Sequence, residues 1–138
     1  MSKIYIQGTF GAYSHLAALE IDPNAEVIPC KTFDECFIKT SLENSSRMII
    51  PESNRITGNI GIEYLIFKHR LNIYAEHFQK IEHNLLGLPG AKLSEIKEVY
   101  SHAQGLSQCS NFIKKNNLVE HIRADTAGSA EAISKKKN

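Results

Sequence analysis

The stretch Lys3-Ile-Tyr-Ile-Gln-Gly-Thr-Phe-Gly-Ala-Tyr-Ser-His-Leu-Ala-Ala-Leu-Glu-Ile21 decides the reading of the fold. Its first five residues alternate and are rich in β-branched and aromatic side chains, which is a strand pattern. Gly8 and Gly11 bracket a turn. From Ala12 onward the spacing becomes helical, with Leu16 and Leu19 on one face and Ala12 and His15 beside them. Asp22, Pro23 and Asn24 then break the helix.

The same alternation repeats outward from this stretch. Residues 26–29 read as a second strand. Thr32, followed three residues later by Glu35, is a capping box that opens a helix through Phe33, Cys36, Phe37 and Thr40. Residues 47–50 make a third strand, ended by Pro51. Thr57 or Asn59 opens a helix through Ile62, Leu65 and Ile66 to His69. Strand character returns at residues 73–78 and 84–88, a stretch too extended for one strand and suited to carrying the chain from one lobe to another. A short helix at 93–97, a strand at 98–101, a helix at 103–115 and a strand at 119–123 follow. A helix over 126–136, capped by Asp125 or Thr126, closes the series. Lys135, Lys136 and Lys137 form its solvated end, where cations offset the macrodipole. Strand–helix alternation of this kind predicts an α/β fold, a parallel sheet with helices on both faces.

The bulk numbers narrow the function. A chain of 138 residues, 42% hydrophobic, suits one compact unit or two small lobes. A formal net charge of +1 gives no electrostatic case for nucleic acid or an anionic membrane, and leaves a small anionic substrate open. The cysteines, Cys30, Cys36 and Cys109, are odd in number and lack tight spacing. They read as reduced thiols, not as a disulfide framework or a zinc cage. The start of the chain lacks a signal-peptide pattern, and no apolar run is long enough to span a membrane. The expectation is a cytoplasmic protein.

Ligands of open α/β sheets sit outside the carboxyl ends of strands, and helix N-termini there favour anions. Four segments meet that description. Gly8-Thr-Phe-Gly-Ala-Tyr-Ser14 is not a dinucleotide fingerprint, because its third glycine is missing; a tight turn explains it as well. Pro51-Glu-Ser-Asn-Arg-Ile-Thr-Gly58 reads as a polar loop leading to a helix cap. In Ser101-His-Ala-Gln-Gly-Leu-Ser-Gln-Cys109, Ser101 sits at the helix start, and Gln104 and Gln108 share a face. Asp125-Thr-Ala-Gly-Ser-Ala130 is either a plain cap or an anion-binding helix start. Of six histidines only His102 falls inside such a segment, and capping or packing suits the others.

In this order the four segments resemble prephenate dehydratases, with Tyr100-Ser-His-Ala-Gln-Gly-Leu-Ser-Gln-Cys109 as the most specific part. Asn84-Leu-Leu-Gly-Leu-Pro-Gly90 is similar to that family as well. The resemblance implies a two-lobed fold like that of type 2 periplasmic binding proteins, with residues 1–75 in the first lobe, 76–138 in an incomplete second lobe, and the site in the cleft. It implies conversion of prephenate to phenylpyruvate in phenylalanine biosynthesis, with no metal or organic cofactor, and a homodimer or higher homo-oligomer. Asn54, Ser101 and Gln108 match polar contacts to the reacting centre. Gly11, Ala12, Tyr13, Ser14, Thr126 and Ala127 match turns that hold substrate carboxylates, and Gln104 matches a further glutamine.

The second segment departs from the family's Pro-Ile-Glu-Asn-Ser: here Ser53 stands at the glutamate position and Arg55 at the serine. Arg55 adds a cation able to meet a carboxylate. A Thr-Arg-Phe element, whose threonine is the family's leading candidate for acting on the departing hydroxyl, does not occur in these residues, nor does a phenylalanine-sensing (ACT) domain. The reading is therefore of a fold lacking its C-terminal part, with little activity by itself. Arogenate dehydration and non-catalytic sensing of a small carboxylate are the alternatives.

Overall fold

A computed structural model describes residues 2–54 and 58–136. Arg55, Thr57 and Lys137 lie outside the described residues. The chain divides into two compact units, one ending at Lys80 and the other beginning at Ile81.

The first unit is built on three parallel strands, β1 (Lys3–Gln7), β2 (Glu26–Cys30) and β3 (Arg47–Ile49), in the order β2-β1-β3. Successive side chains of β1 enter different cores, as the two-residue period of a strand requires. Ile4 and Ile6 pack with Ala18, Ala25, Val27 and Ile49. Tyr5, between them, packs with Cys30, Cys36, Ile28, Met48 and Ile50. Ala18 belongs to helix α1 (Tyr13–Ile21) and Cys36 to helix α2 (Phe33–Leu42), so the helices cover opposite faces of the sheet. Pro29, which has no amide hydrogen, falls on β2, an outer strand of this sheet.

Helix α2 starts as expected. The Thr32 hydroxyl accepts from the Glu35 amide at 3.1 Å, and Cys36, Phe37 and Thr40 are buried. The Glu35 carboxylate reaches one residue beyond the usual box and accepts from the Lys31 amide at 2.8 Å. Helix α1 corrects the expectation. Its buried residues are Ala17 and Ala18, whereas Leu16 and Leu19 are exposed. Small side chains let the helix backbone approach the sheet closely, and that packing outranks hydrophobicity in choosing the inner face.

The segment expected as a polar loop before a helix holds a strand pair at its described positions. β4 (Ser53–Asn54) pairs antiparallel with β5 (Gly58–Asn59), Asn54 opposite Gly58. Asn59 acts on the next helix from inside that hairpin. Its side chain accepts from the Gly61 amide and donates to the Glu63 carboxylate, in the first turn of α3 (Glu63–Lys68).

Residues 71–87 contain no helix or strand, which corrects the strands expected at 73–78 and 84–88. Alternation encodes an extended backbone, but a strand also needs a partner ladder, and none of the described strands pairs with this stretch. Ile73, Tyr74 and Phe78 are accordingly exposed.

In the second unit, β6 (Glu98–Ser101) pairs parallel with β7 (Val119–Ile122). The helix expected over 103–115 is two helices, α4 (Ala103–Gln108) and α5 (Ser110–Lys115), meeting at Cys109. The backbone of Cys109 leaves helical geometry there, at φ −98° and ψ 7°. Leu106, Ile113 and Leu118 form the core with Ile96, Val99 and Cys109. Helix α6 (Thr126–Ser134) follows β7, with Asp125 as its N-cap.

Candidate active site

In the first unit the turn after β1 begins with Gly8 at φ 111°, a conformation costly for any residue with a Cβ. Its amide donates to the Cys30 carbonyl at 2.9 Å and ties the turn to β2. The Gly11 amide donates to Nδ1 of His15 at 3.0 Å, and Phe10 meets the same ring edge-on at 5.2 Å. Ala12 is the N-cap of α1, and its side chain has no acceptor for the first-turn amides of Tyr13 and Ser14. The positive end of this helix is therefore not answered by its own cap. Asn54 is half-buried in the β4–β5 hairpin that follows β3, next to β1 in the sheet.

In the second unit two of the motifs meet. Ser101 is the last residue of β6, and its hydroxyl donates to the Thr126 hydroxyl, the first residue of α6, at 3.0 Å. The approach depends on Gly105, which sequence reasoning missed. A Cβ on Gly105 would lie 2.9 Å from Ser101 Oγ and 3.5 Å from Thr126 Oγ1. Asp125 anchors the other side of the pair. Its carboxylate accepts from the Gly128 amide at 2.5 Å, and its carbonyl accepts from the Ser129 hydroxyl at 2.7 Å. The N-terminus of α6 thus has a carboxylate of its own beside Thr126 and Ala127.

Ser101 is not the cap of α4. That position belongs to His102, whose Nδ1 accepts from the Gln104 amide at 3.3 Å. Serine is the commoner cap, but β6 extends through Ser101 and the helix starts one residue later. Gln104 is exposed and Gln108 half-buried. The Gln108 Oε1 lies 2.8 Å from Nε2 of His83, a second residue that sequence reasoning missed.

A cavity of about 300 Å³ lies beside these groups, not on them; Tyr100, Arg123, Asp125, Ser129, Ile133 and Lys136 are among the residues lining it. Arg123 and Lys136 stand 4.9 Å and 5.4 Å from the centre of the Tyr100 ring, and His121 stacks on that ring at 4.6 Å. The Tyr100 hydroxyl donates to Glu98, which holds the Glu98 carboxyl below its ordinary range and raises the phenol. None of Ser101, Gln104, Gln108, Thr126 or Ala127 lines this cavity. Among the described residues no group of three His, Cys, Asp or Glu is placed to hold a metal ion, and no helix is long and apolar enough to cross a membrane.

Within each unit, hydroxyl and helix-start groups stand at the carboxyl ends of parallel strands, the place where α/β proteins hold small polar molecules. The chain belongs to the prephenate dehydratase family, whose model matches residues 4–138. It is 42% identical over 135 residues to the chloroplastic arogenate dehydratase/prephenate dehydratase 1 of Arabidopsis thaliana, covering 96% of this chain and 34% of that protein. Among solved structures it is similar to GqqA, described as a novel type of quorum quenching acylase, with a TM-score of 0.84 and 32% identity over 95% of this chain and 48% of that one. The prephenate dehydratase of Staphylococcus aureus shares its fold, with a TM-score of 0.70 and 23% identity over 95% of this chain and 51% of that one. The chain spans about a third of the length of the curated relatives it matches.

Proposed function

We propose that the chain carries substrate-holding groups of a dehydratase that converts prephenate to phenylpyruvate in phenylalanine biosynthesis. Arogenate, named for the Arabidopsis relative, is the alternative substrate. The observation that carries this reading is the Ser101–Thr126 hydroxyl pair, which joins two of the motifs at neighbouring strand ends.

The chemistry asks little of the protein. As carbon dioxide departs, its bonding electrons enter the ring. The ring hydroxyl leaves with one added proton as water, and aromatisation drives the step. The protein must hold two carboxylates and donate hydrogen bonds to the departing oxygen. In this reading Asn54, Ser101 and Gln108 are contacts to the reacting centre. The helix-start residues Gly11, Ala12, Tyr13, Ser14, Thr126 and Ala127 hold carboxylates. Gln104 supplements them, and Arg55 is a further cation for a carboxylate.

GqqA raises acylase activity as a second reading. An acylase serine needs a base, and the Ser101 hydroxyl is bonded to another hydroxyl, so dehydration is preferred. We place the reaction in the cytoplasm, a reducing compartment that suits the free thiols Cys30, Cys36 and Cys109. A chloroplast is the alternative, since the Arabidopsis relative is chloroplastic. Exposed Phe67 and Phe78 support self-association into a homodimer or higher oligomer, which light scattering measures.

The test is formation of phenylpyruvate from prephenate, and of phenylalanine from arogenate, by the full-length protein. Turnover of neither overturns the reading. In the active protein Gln108→Ala is expected to lower kcat/KM about tenfold or more, the size of a lost transition-state hydrogen bond. A change within threefold or so removes Gln108 from the site.

A further inference from the structure

Gln108 has two chemically different ends, a carbonyl oxygen that only accepts and an amide nitrogen that only donates. Which end meets a substrate decides what the residue does. His83 lies 25 residues earlier, outside any helix or strand, with its Nε2 2.8 Å from Gln108 Oε1. A carbonyl cannot donate, so the imidazole must carry its proton on Nε2. Both the neutral Nε2–H tautomer and the imidazolium satisfy that requirement. With Oε1 engaged, the amide group is fixed by one end and offers its NH₂ hydrogens at the other.

We propose that His83 is a positioning residue. It clamps the Gln108 carbonyl so that the side chain presents donors, not an acceptor, to an anionic substrate. The inference rests on the reading of Gln108 as a site residue and adds to it a direction for the amide. Carboxylates and a departing hydroxyl oxygen both accept hydrogen bonds, so a reversed amide would place an acceptor against them, an unpaired and repulsive contact.

Two measurements on the full chain test this. The first is independent of activity: ¹⁵N NMR of the imidazole nitrogens at a pH where the ring is neutral. A proton on Nε2 of His83 is expected. A proton on Nδ1 alone would make Nε2 an acceptor from the amide and overturn the proposal. The second is a kinetic cycle with prephenate and arogenate. His83→Ala is expected to lower kcat/KM about tenfold, His83→Gln, whose amide nitrogen takes the place of Nε2, to restore it to within about threefold, and His83→Ala/Gln108→Ala to be no slower than Gln108→Ala. Additive losses, or no loss in His83→Ala when Gln108→Ala is slow, overturn the proposal and leave the site reading intact. If Gln108→Ala is silent or the wild type is inactive, it is the site reading that fails, and the ring nitrogens alone decide the clamp.

Discussion

A methyl group at position 105 has two opposite effects. Alanine favours a helix over glycine by about 1 kcal/mol. The same Cβ, 2.9 Å from Ser101 Oγ, forces that hydroxyl into another rotamer and breaks its bond to Thr126, a loss of about 1 kcal/mol. Gly105→Ala is therefore expected to leave the melting temperature nearly unchanged while separating the two hydroxyls and slowing turnover. Calorimetry beside kinetics checks this; a large drop in stability would show that the neighbouring backbone, not the hydroxyl, gives way. What the sequence reveals at this scale is what is local. The Thr32 and Asp125 caps each bond an amide three residues on; the first was readable from residue type and spacing, and for the second the sequence left Asp125 and Thr126 as equals. The His83–Gln108 bond joins positions 25 apart, and no spacing rule encodes it.

Two helices end in the same way with different residues in the left-handed position. After α5 the Asn117 amide donates to the Lys114 carbonyl and the Leu118 amide to the Ile113 carbonyl, a Schellman motif with Asn117 at φ 53°. After α3 the Arg70 amide donates to Phe67 and the Leu71 amide to Ile66, with Arg70 also at φ 53°. Asparagine tolerates the left-handed region, whereas arginine is strained there. Arg70→Gly is expected to raise stability by about 0.5–1 kcal/mol, and Asn117→Gly by less. Urea midpoints measure both, and an unchanged midpoint for Arg70→Gly would show that the strain is relieved elsewhere. Most elements were legible because each carries its own period and its own stop. Some misreadings were of relations between elements: which face of α1 the sheet would take, and whether residues 73–78 would find a ladder. The break at Cys109 is different, a local one that the helical period runs straight through.

Three half-buried carboxylates of the first unit add in the same direction. Asp22 is held below its ordinary range by the Ser2 hydroxyl and by Arg47, Glu43 by Lys3, and Glu35 by Lys39. A carboxyl lowered on folding stabilises the fold above its unfolded pKa, near 4, and loses that effect as pH falls through the lowered value. Lys3, Lys39 and Arg47 are raised, so their contributions are complete at neutral pH and fade only in strong alkali. The melting temperature is expected to be flat from about pH 5 to 9 and to fall below about pH 4, less steeply in molar salt. A fall already under way near pH 6 would implicate histidines instead.

The interleaved packing of β1 sets a limit on how this protein can change in evolution. Ile4 and Ile6 belong to one core and Tyr5 to the other. Substitutions there act one core at a time. Deleting or inserting a single residue would send every following side chain of the strand to the wrong face. Length within β1 is thus under tighter constraint than identity, and drift in length is left to the connections that carry no such alternation.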